Sequence, residues 1–348
     1  MTMTLPIARP LDSVRLPDVV YIETSNICNS LCEMCPLTFF GNGAPRHLTL
    51  SELDGIVSQL PDLRRVVLHG LGEPLLNREL PGMIRLLRER GIETLFNSNV
   101  IALTRRWQEE LVAAGLGELR VSLDAATPET YRSVRGVPAF DKVVRHLTEM
   151  VETRQRLASD APRISVWFTT MRENLSELSG AVRIAADAGA DEFYVQRLVY
   201  GGYGLATEDQ SIFGRLNDEE AAQLSAAEAI AREYGMGFRA SGDTVAIETL
   251  EGVGAQRDEQ AILASQRPWL ACHRPWYLTY ITAHGDVLPC CFIPFINASS
   301  EPAYVLGNVF EQSVPEIWNG PSYQEFRRRF QTDQPFDCCA SCGSRWSV

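Results

Sequence analysis

Lysine is almost missing from this 348-residue chain: Lys142 stands alone among 32 basic residues, a bias that reflects the base composition of the gene rather than chemistry. Clustered positive charge is missing too, and a formal net charge of −12 argues against a nucleic-acid surface. The one basic cluster, Arg327 to Arg329, reads as the solvated last turn of a helix. No run approaches the ~18 consecutive apolar residues of a membrane span, and the N-terminus lacks the pattern of a secretory signal. Together these absences predict a soluble, cytoplasmic protein with no membrane or nucleic-acid partner. No cysteine lies between Cys35 and Cys272, so the nine cysteines fall into two sets, and their odd number argues against a disulfide framework.

With 45% hydrophobic residues the chain can bury a large core, and its length suggests one large domain plus a smaller one. Six β-rich runs recur, each followed by a helical pattern: VVYIET (19–24), RRVVLHG (64–70), ETLFNSN (93–99), LRVSLDA (119–125), RISVWFTT (163–170) and EFYVQRLVY (192–200). Such alternation predicts an α/β fold with a parallel sheet and right-handed crossovers, a partial (β/α)6 TIM-like barrel. LTLSELDGIVSQL, RELPGMIRLLRERG and NDEEAAQLSAAEAIAREYG carry helix caps and stops, the last two ending at Gly91 and Gly235. A hairpin, YLTYITAHGDVLPCC, turns at His284, Gly285 and Asp286, and a helix follows from about Ser313. In barrels of this kind the chemistry sits at the C-terminal ends of the strands.

The first cysteine set is CNSLCEMCP, directly after the first strand. Cys28, Cys32 and Cys35 can close on three irons of one cubane and leave the fourth iron open; a structural zinc site would need four closed ligands. After the second strand, HGLGEP offers Gly70 and Gly72 for close backbone approach and Glu73 as an acceptor, or simply a tight turn with a solvated glutamate. Asn97, Ser98 and Asn99 end the third strand, and Ser122 and Asp124 the fourth. These short polar groups suit ribose hydroxyls and a carboxylate, while Asp124 and Thr127 equally suit helix caps before PETYRSV.

The C-x3-C-x2-C run resembles the signature of the radical S-adenosylmethionine (radical SAM) enzymes, whose open iron holds the cofactor's amino group and carboxylate. The resemblance implies S-adenosyl-L-methionine as cofactor and a 5'-deoxyadenosyl radical as its cleavage product. It implies Met34 against the adenine, Gly72 and Glu73 toward the ammonium group, Ser122 as a cofactor contact and Arg135 toward the carboxylate, with Asn97, Asn99 and Asp124 joining them as polar strand-end candidates for the cofactor. Leu71 replaces the first glycine of the family's Gly-Gly-Glu segment.

Cys272, a twelve-residue gap to Gly285, then Cys290, with Cys339 and Cys342 near the end, resembles the shortened SPASM module called a twitch domain. That resemblance implies one auxiliary 4Fe-4S cluster on Cys272, Cys290, Cys339 and Cys342, and two 4Fe-4S clusters in all. A zinc ribbon on the same cysteines is the plainer alternative. Cys291 and Cys338 adjoin two of these residues, as alternative ligands or as small buried hydrophobes. The expected organisation is an N-terminal lead (1–16), a radical SAM partial barrel (17–236), a connecting segment (237–267) and a β-hairpin plus helix twitch/SPASM domain (268–348).

By this resemblance the expected activity is a radical SAM dehydrogenase that oxidises a secondary alcohol of a sugar or aminocyclitol to a ketone in antibiotic biosynthesis. The auxiliary cluster would accept the electron, and flavodoxin or ferredoxin would supply the electron that starts turnover. Maturation of a ribosomally made peptide and sugar epimerisation are the alternatives, and an iron-sulfur scaffold is the non-enzymatic one. Asp191, Glu192, Gln196, Arg197, Tyr200 and Tyr203 are candidate substrate contacts or ordinary rim residues.

Overall fold

A computed structural model describes residues 9–212, 216–240, 267–296, 304–340 and 342. The remaining residues, including 1–8 of the expected N-terminal lead and 241–266 of the expected connecting segment, lie outside the described set.

All six expected strands form, in order: β1 (Val19–Ile22), β2 (Arg65–Val67), β3 (Glu93–Ser98), β4 (Glu118–Ser122), β5 (Arg163–Thr170) and β6 (Glu192–Arg197). Each pairs in parallel with the next, and β7 (Gly237–Ala240), which the sequence reading missed, extends the series beside β6. The hairpin is β8 (Leu278–Ile281) and β9 (Val287–Leu288), antiparallel to each other. β8 also pairs in parallel with β1, so the hairpin continues the barrel sheet in the order β7-β6-β5-β4-β3-β2-β1-β8-β9.

The helices begin and end where their caps dictate. Thr49 and Glu52 form a capping box at α2 (Leu50–Val57), which follows the short α1 (Pro36–Phe40). Gly91 follows α3 (Leu80–Glu89), and Gly115 closes α4 (Arg105–Ala114) in the left-handed conformation. Thr127 caps α5 (Pro128–Arg135), so capping falls to Thr127 and leaves Asp124 free of it. α6 (Phe140–Arg156) and α7 (Leu178–Asp187) cover the sheet, and Asn217 and Glu220 box the start of α8 (Asp218–Glu233). Ser313 caps the helix Val314–Trp318. One large core of strand and helix residues fills the barrel wall, and a second, around Trp269, Tyr280, Phe326 and Phe330, lies under the C-terminal cysteines.

One expectation needs correction. Arg327 is fully buried rather than solvated: its guanidinium donates to the carbonyls of Pro275 and Trp318 and stacks on Trp318 and Tyr323. A cation surrounded by carbonyls and ring faces is a satisfied core group. The N-terminal lead has contacts of its own. Arg9 donates to the carbonyls of Cys272 (2.6 Å) and Leu270 (2.7 Å), tying the lead to the C-terminal module.

Candidate functional site

The cysteine loop leaves β1 at the C-terminal edge of the sheet and is pinned along its length. Leu31 and Glu33 donate their N–H groups to the carbonyls of Arg135 and Val134 (3.2 and 3.0 Å), at the end of α5. Glu73 donates to the Ile27 carbonyl (2.8 Å), and the Asn99 amide bonds Asn29 (2.7 Å) and Ser30 (3.3 Å). Arg135 donates to Cys32 Sγ (3.4 Å) and pairs with Asp124 (2.9 Å). Burial pushes the Cys28 and Cys35 thiols up to about 12, so iron binding must displace protons from both.

Glycine is required where this loop meets its neighbours. A Cβ on Gly72 would overlap the Ser25 carbonyl oxygen, and one on Gly136 the Leu31 carbonyl. Gly72→Ala is therefore expected to destabilise the fold by ~3 kcal/mol or more, because backbone rather than a flexible side chain must move. Chemical denaturation of the apoprotein measures this; an unchanged midpoint would contradict the packing.

A cavity of about 360 Å³ opens beneath the triad. Met34, Gly72, Glu73, Asn97, Asn99, Ser122, Asp124 and Arg135 all line it, so the structure brings the whole expected cofactor set together. Their roles divide. Glu73 is buried and accepts from Ser98 Oγ (2.7 Å), Asn99 N (2.9 Å) and Leu75 N (3.1 Å), joining the end of β3 to the HGLGEP turn. Leu71 commits its N–H to Glu23 Oε1 (2.8 Å). Asn97 Oδ1 is buried without a partner among the described residues, and Met34 packs on Val134, Met171 and Leu198. An unused acceptor beside an apolar shelf and a guanidinium fits a ligand that carries hydroxyls, an aromatic ring and a carboxylate.

Of the candidate substrate contacts, Gln196 and Arg197 reach the cavity. Asp191 pairs with Arg154, Glu192 is held by Arg239 (2.5 Å), and Tyr203 packs on Phe39 and Phe40.

The far end of the cavity was not anticipated. Tyr21, His69, Arg120, Trp167, Tyr194, Arg274, Cys291 and Phe292 line it. The signal was strand alternation: Arg120 and Ser122, Trp167 and Thr169, and Tyr194 and Gln196 each lie two apart and face inward together. Trp167 stacks on Tyr194 (4.1 Å between centroids), and Arg120 covers Trp167 (4.2 Å). Burial, with Arg120 nearby, holds the His69 pKa down to about 3. A histidine depressed in the folded state contributes stability that is complete above its unfolded pKa of ~6.5 and fades as pH falls toward the folded value. His69→Asn is thus expected to lose less stability than the wild type between pH ~7 and pH ~5, by about 1 kcal/mol per unit below 6.5. Denaturant titrations at both pH values test this; parallel losses would show that His69 titrates normally.

Strand direction separates the two cysteine sets. The triad follows β1, whereas Arg274 precedes β8, which runs parallel to β1, and Cys290 follows the antiparallel β9. The second set therefore lies at the opposite, N-terminal edge of the sheet. Cys272, Cys290, Cys338, Cys339 and Cys342 line one small cavity there, while Cys291 faces the large one. Arg274 and Phe292 line both and form the wall between them. Among the described residues, no three His, Cys, Asp or Glu side chains converge on a single ion.

Comparison with known proteins agrees with this division. Residues 22–157 match the radical SAM superfamily, and residues 272–343 match SPASM, an iron-sulfur cluster-binding domain. The chain carries a radical SAM domain and a SPASM domain. Its cofactors are accordingly S-adenosylmethionine and iron-sulfur clusters, one in the first domain and the auxiliary iron-sulfur site in the second. It is 25% identical over 339 residues to a PqqA peptide cyclase of Streptomyces rochei, covering 96% of this chain and 83% of that protein. A probable GTP 3',8-cyclase of Sulfurisphaera tokodaii is 28% identical over 192 residues; the match takes in 53% of this chain and 58% of that relative, less than two thirds of its length. The fold resembles that of Streptococcus suis SuiB bound to S-adenosylmethionine, with a TM-score of 0.65 and 19% identity over 96% of this chain and 72% of that one. No helix among the described residues is long and apolar enough to cross a membrane.

Proposed function

We propose that this protein is a radical SAM enzyme that oxidatively matures a ribosomally made peptide. The bound cofactor supplies a hydrogen-abstracting radical at the triad end, and the auxiliary site supplies an electron sink at the other. The chain's own residues position the substrate between the two and keep water away. Trp167, Tyr194, Tyr21 and Phe292 wall the space with rings, while Arg135, Asn97 and Met34 orient the cofactor. A one-electron donor of flavodoxin or ferredoxin type belongs to the same proposal.

The observation that carries the choice of substrate is the cavity's charge. A cationic amino-sugar needs an available carboxylate, but Glu73 accepts three hydrogen bonds from the protein and Asp124 is paired with Arg135. The expected aminocyclitol oxidation, ranked first from sequence, thus gives way to the peptide alternative, which the near full-length likeness to a peptide cyclase also supports. Exposed apolar side chains agree: Leu31, Phe39 and Phe40 stand out to solvent in and just after the segment that carries the triad, as a polypeptide-docking surface would use. A second reading rests on Cys291, which lines the cavity beside Arg274 and Phe292 and could return a hydrogen atom in an epimerisation.

The test is the formation of 5'-deoxyadenosine by reconstituted enzyme given a low-mass fraction of source-cell extract, before and after exhaustive proteolysis of that fraction. Stimulation that proteolysis destroys supports a peptide; stimulation that survives it would sink the proposal. A product lighter by two hydrogens marks oxidation, whereas an unchanged mass with one solvent deuterium marks epimerisation.

A further inference from the structure

We infer that the inner end of the cavity is an anion site, in which Arg120 and Arg274 hold a carboxylate of the substrate. This rests on the reading of the cavity as the substrate chamber and assigns the chemistry of the group it selects.

Two guanidiniums reach this end from different parts of the chain. Arg120 comes from β4, one inward position before Ser122, and Arg274 from the turn ahead of β8. Each sits over an aromatic ring, Arg120 over Trp167 at 4.2 Å and Arg274 over Phe292 at 4.3 Å. A ring face holds a guanidinium in place without using its N–H donors, which can still bind a planar anion. The Nε atoms of both are buried without a hydrogen-bond partner among the described residues. Arg120 shares one terminal nitrogen with Glu118 (3.1 Å), which lies outside the cavity lining; Arg274 has no carboxylate partner there.

Between them stands Tyr21, whose hydroxyl lies within electrostatic reach of both guanidiniums and whose ring meets His69 edge-on at 5.6 Å. The other acids of the cavity are occupied, Glu73 with Ser98 and Asn99 and Asp124 with Arg135. Neither guanidinium finds a carboxylate among the residues that line this space, and each leaves its buried Nε without a partner among the described residues, so this end has donors to offer an anion. A bidentate carboxylate accepts from them, and on a peptide it comes from an aspartate or glutamate beside the modified residue. Arg135 sits at the triad end beside Cys32, so the carboxylate of S-adenosylmethionine has its own partner.

Arg274 also neighbours the second cysteine set, so a purely structural role as a counter-cation for those thiolates has to be separated from substrate recognition. The probes are two pools of blocked random peptides, identical except that one contains Asp and Glu where the other has Asn and Gln. Glutarate and inorganic phosphate serve as small competitors. Retention on anaerobic holoprotein with S-adenosylmethionine is read by mass spectrometry, beside iron content and substrate-independent cofactor cleavage. Wild type should enrich acidic peptides about tenfold, the worth of one charge-assisted contact. Arg120→Gln and Arg274→Gln should abolish that enrichment with iron and basal cleavage unchanged, and Arg120→Lys should keep part of it. Equal retention of the two pools, or enrichment that survives both Gln variants, would overturn the site, as would loss of enrichment only together with iron. Glutarate binding that depends on both arginines, without peptide retention, would uphold the anion site while refuting the peptide reading. Displacement by phosphate but not by glutarate would replace the carboxylate with a phosphate and overturn the assignment.

Discussion

Replacing Cys28, Cys32 and Cys35 together by alanine is expected to reduce 5'-deoxyadenosine formation to the level of the buffer control while leaving the fold intact. The three thiols sit on a loop held chiefly through its backbone and through the Asn99–Asn29 bond, Leu31 and Glu33 to the end of α5 and Glu73 to Ile27, while the sulfurs themselves accept only long bonds, Cys28 from Ser30 N and Asn99 and Cys32 from Arg135. The strand before it and the helix after it are likewise held without them, by pairing with β2 and β8 and by α1's own bonds. Cofactor cleavage and folding are thus separable at this site. Residual cleavage in the triple variant would refute the assignment, and loss of secondary structure would show that the loop depends on its sulfurs.

The second large effect concerns the neighbouring pair Cys290 and Cys291. Cys290 lines the small cavity with Cys272, Cys338, Cys339 and Cys342, and Cys291, hydrogen-bonded to it, lines the large one. Cys290→Ala is therefore expected to lose about half of the iron, one four-iron cluster of two. Cys291→Ala should retain all of it. Cys272→Ala, with its cluster disrupted, should spare cofactor cleavage more than product formation, because the triad lies at the other edge of the sheet. Iron analysis and product assays on the three variants decide the matter; iron lost from Cys291→Ala and kept in Cys290→Ala would reverse the two residues' roles.

Much of this was legible in the residues. All six strands start within a residue of their expected positions, because apolar β-rich runs bounded by glycines and caps leave little alternative, while the runs 64–70, 119–125 and 192–200 extend three residues past the observed strand ends. The attachment of the hairpin was not legible: YLTYI signals a strand, but nothing local says that it will pair with β1 rather than stand apart. Glu73 shows the same limit. Its spacing marks it as an acceptor, yet Ser98 and Asn99, 25 and 26 residues away, determine what it accepts. Attention to strand ends found Ser122 and passed over Arg120, although the two-residue period puts both on the inner face. Arg327 was misread because a basic triplet in a last helical turn is ordinarily solvated, and only the tertiary structure brings Pro275 and Trp318 to it.

The central claim is that one chain holds two iron-sulfur sites, the triad on the large cavity and the second cysteine set in a smaller one behind Arg274 and Phe292. Anaerobic reconstitution followed by iron and sulfide determination tests it most directly, with wild type beside the Cys28/Cys32/Cys35 alanine variant. About eight irons per chain, falling to about four in the variant, is the predicted result. About four irons in wild type, all lost in the variant, would leave the C-terminal cysteines without a cluster and contradict the account.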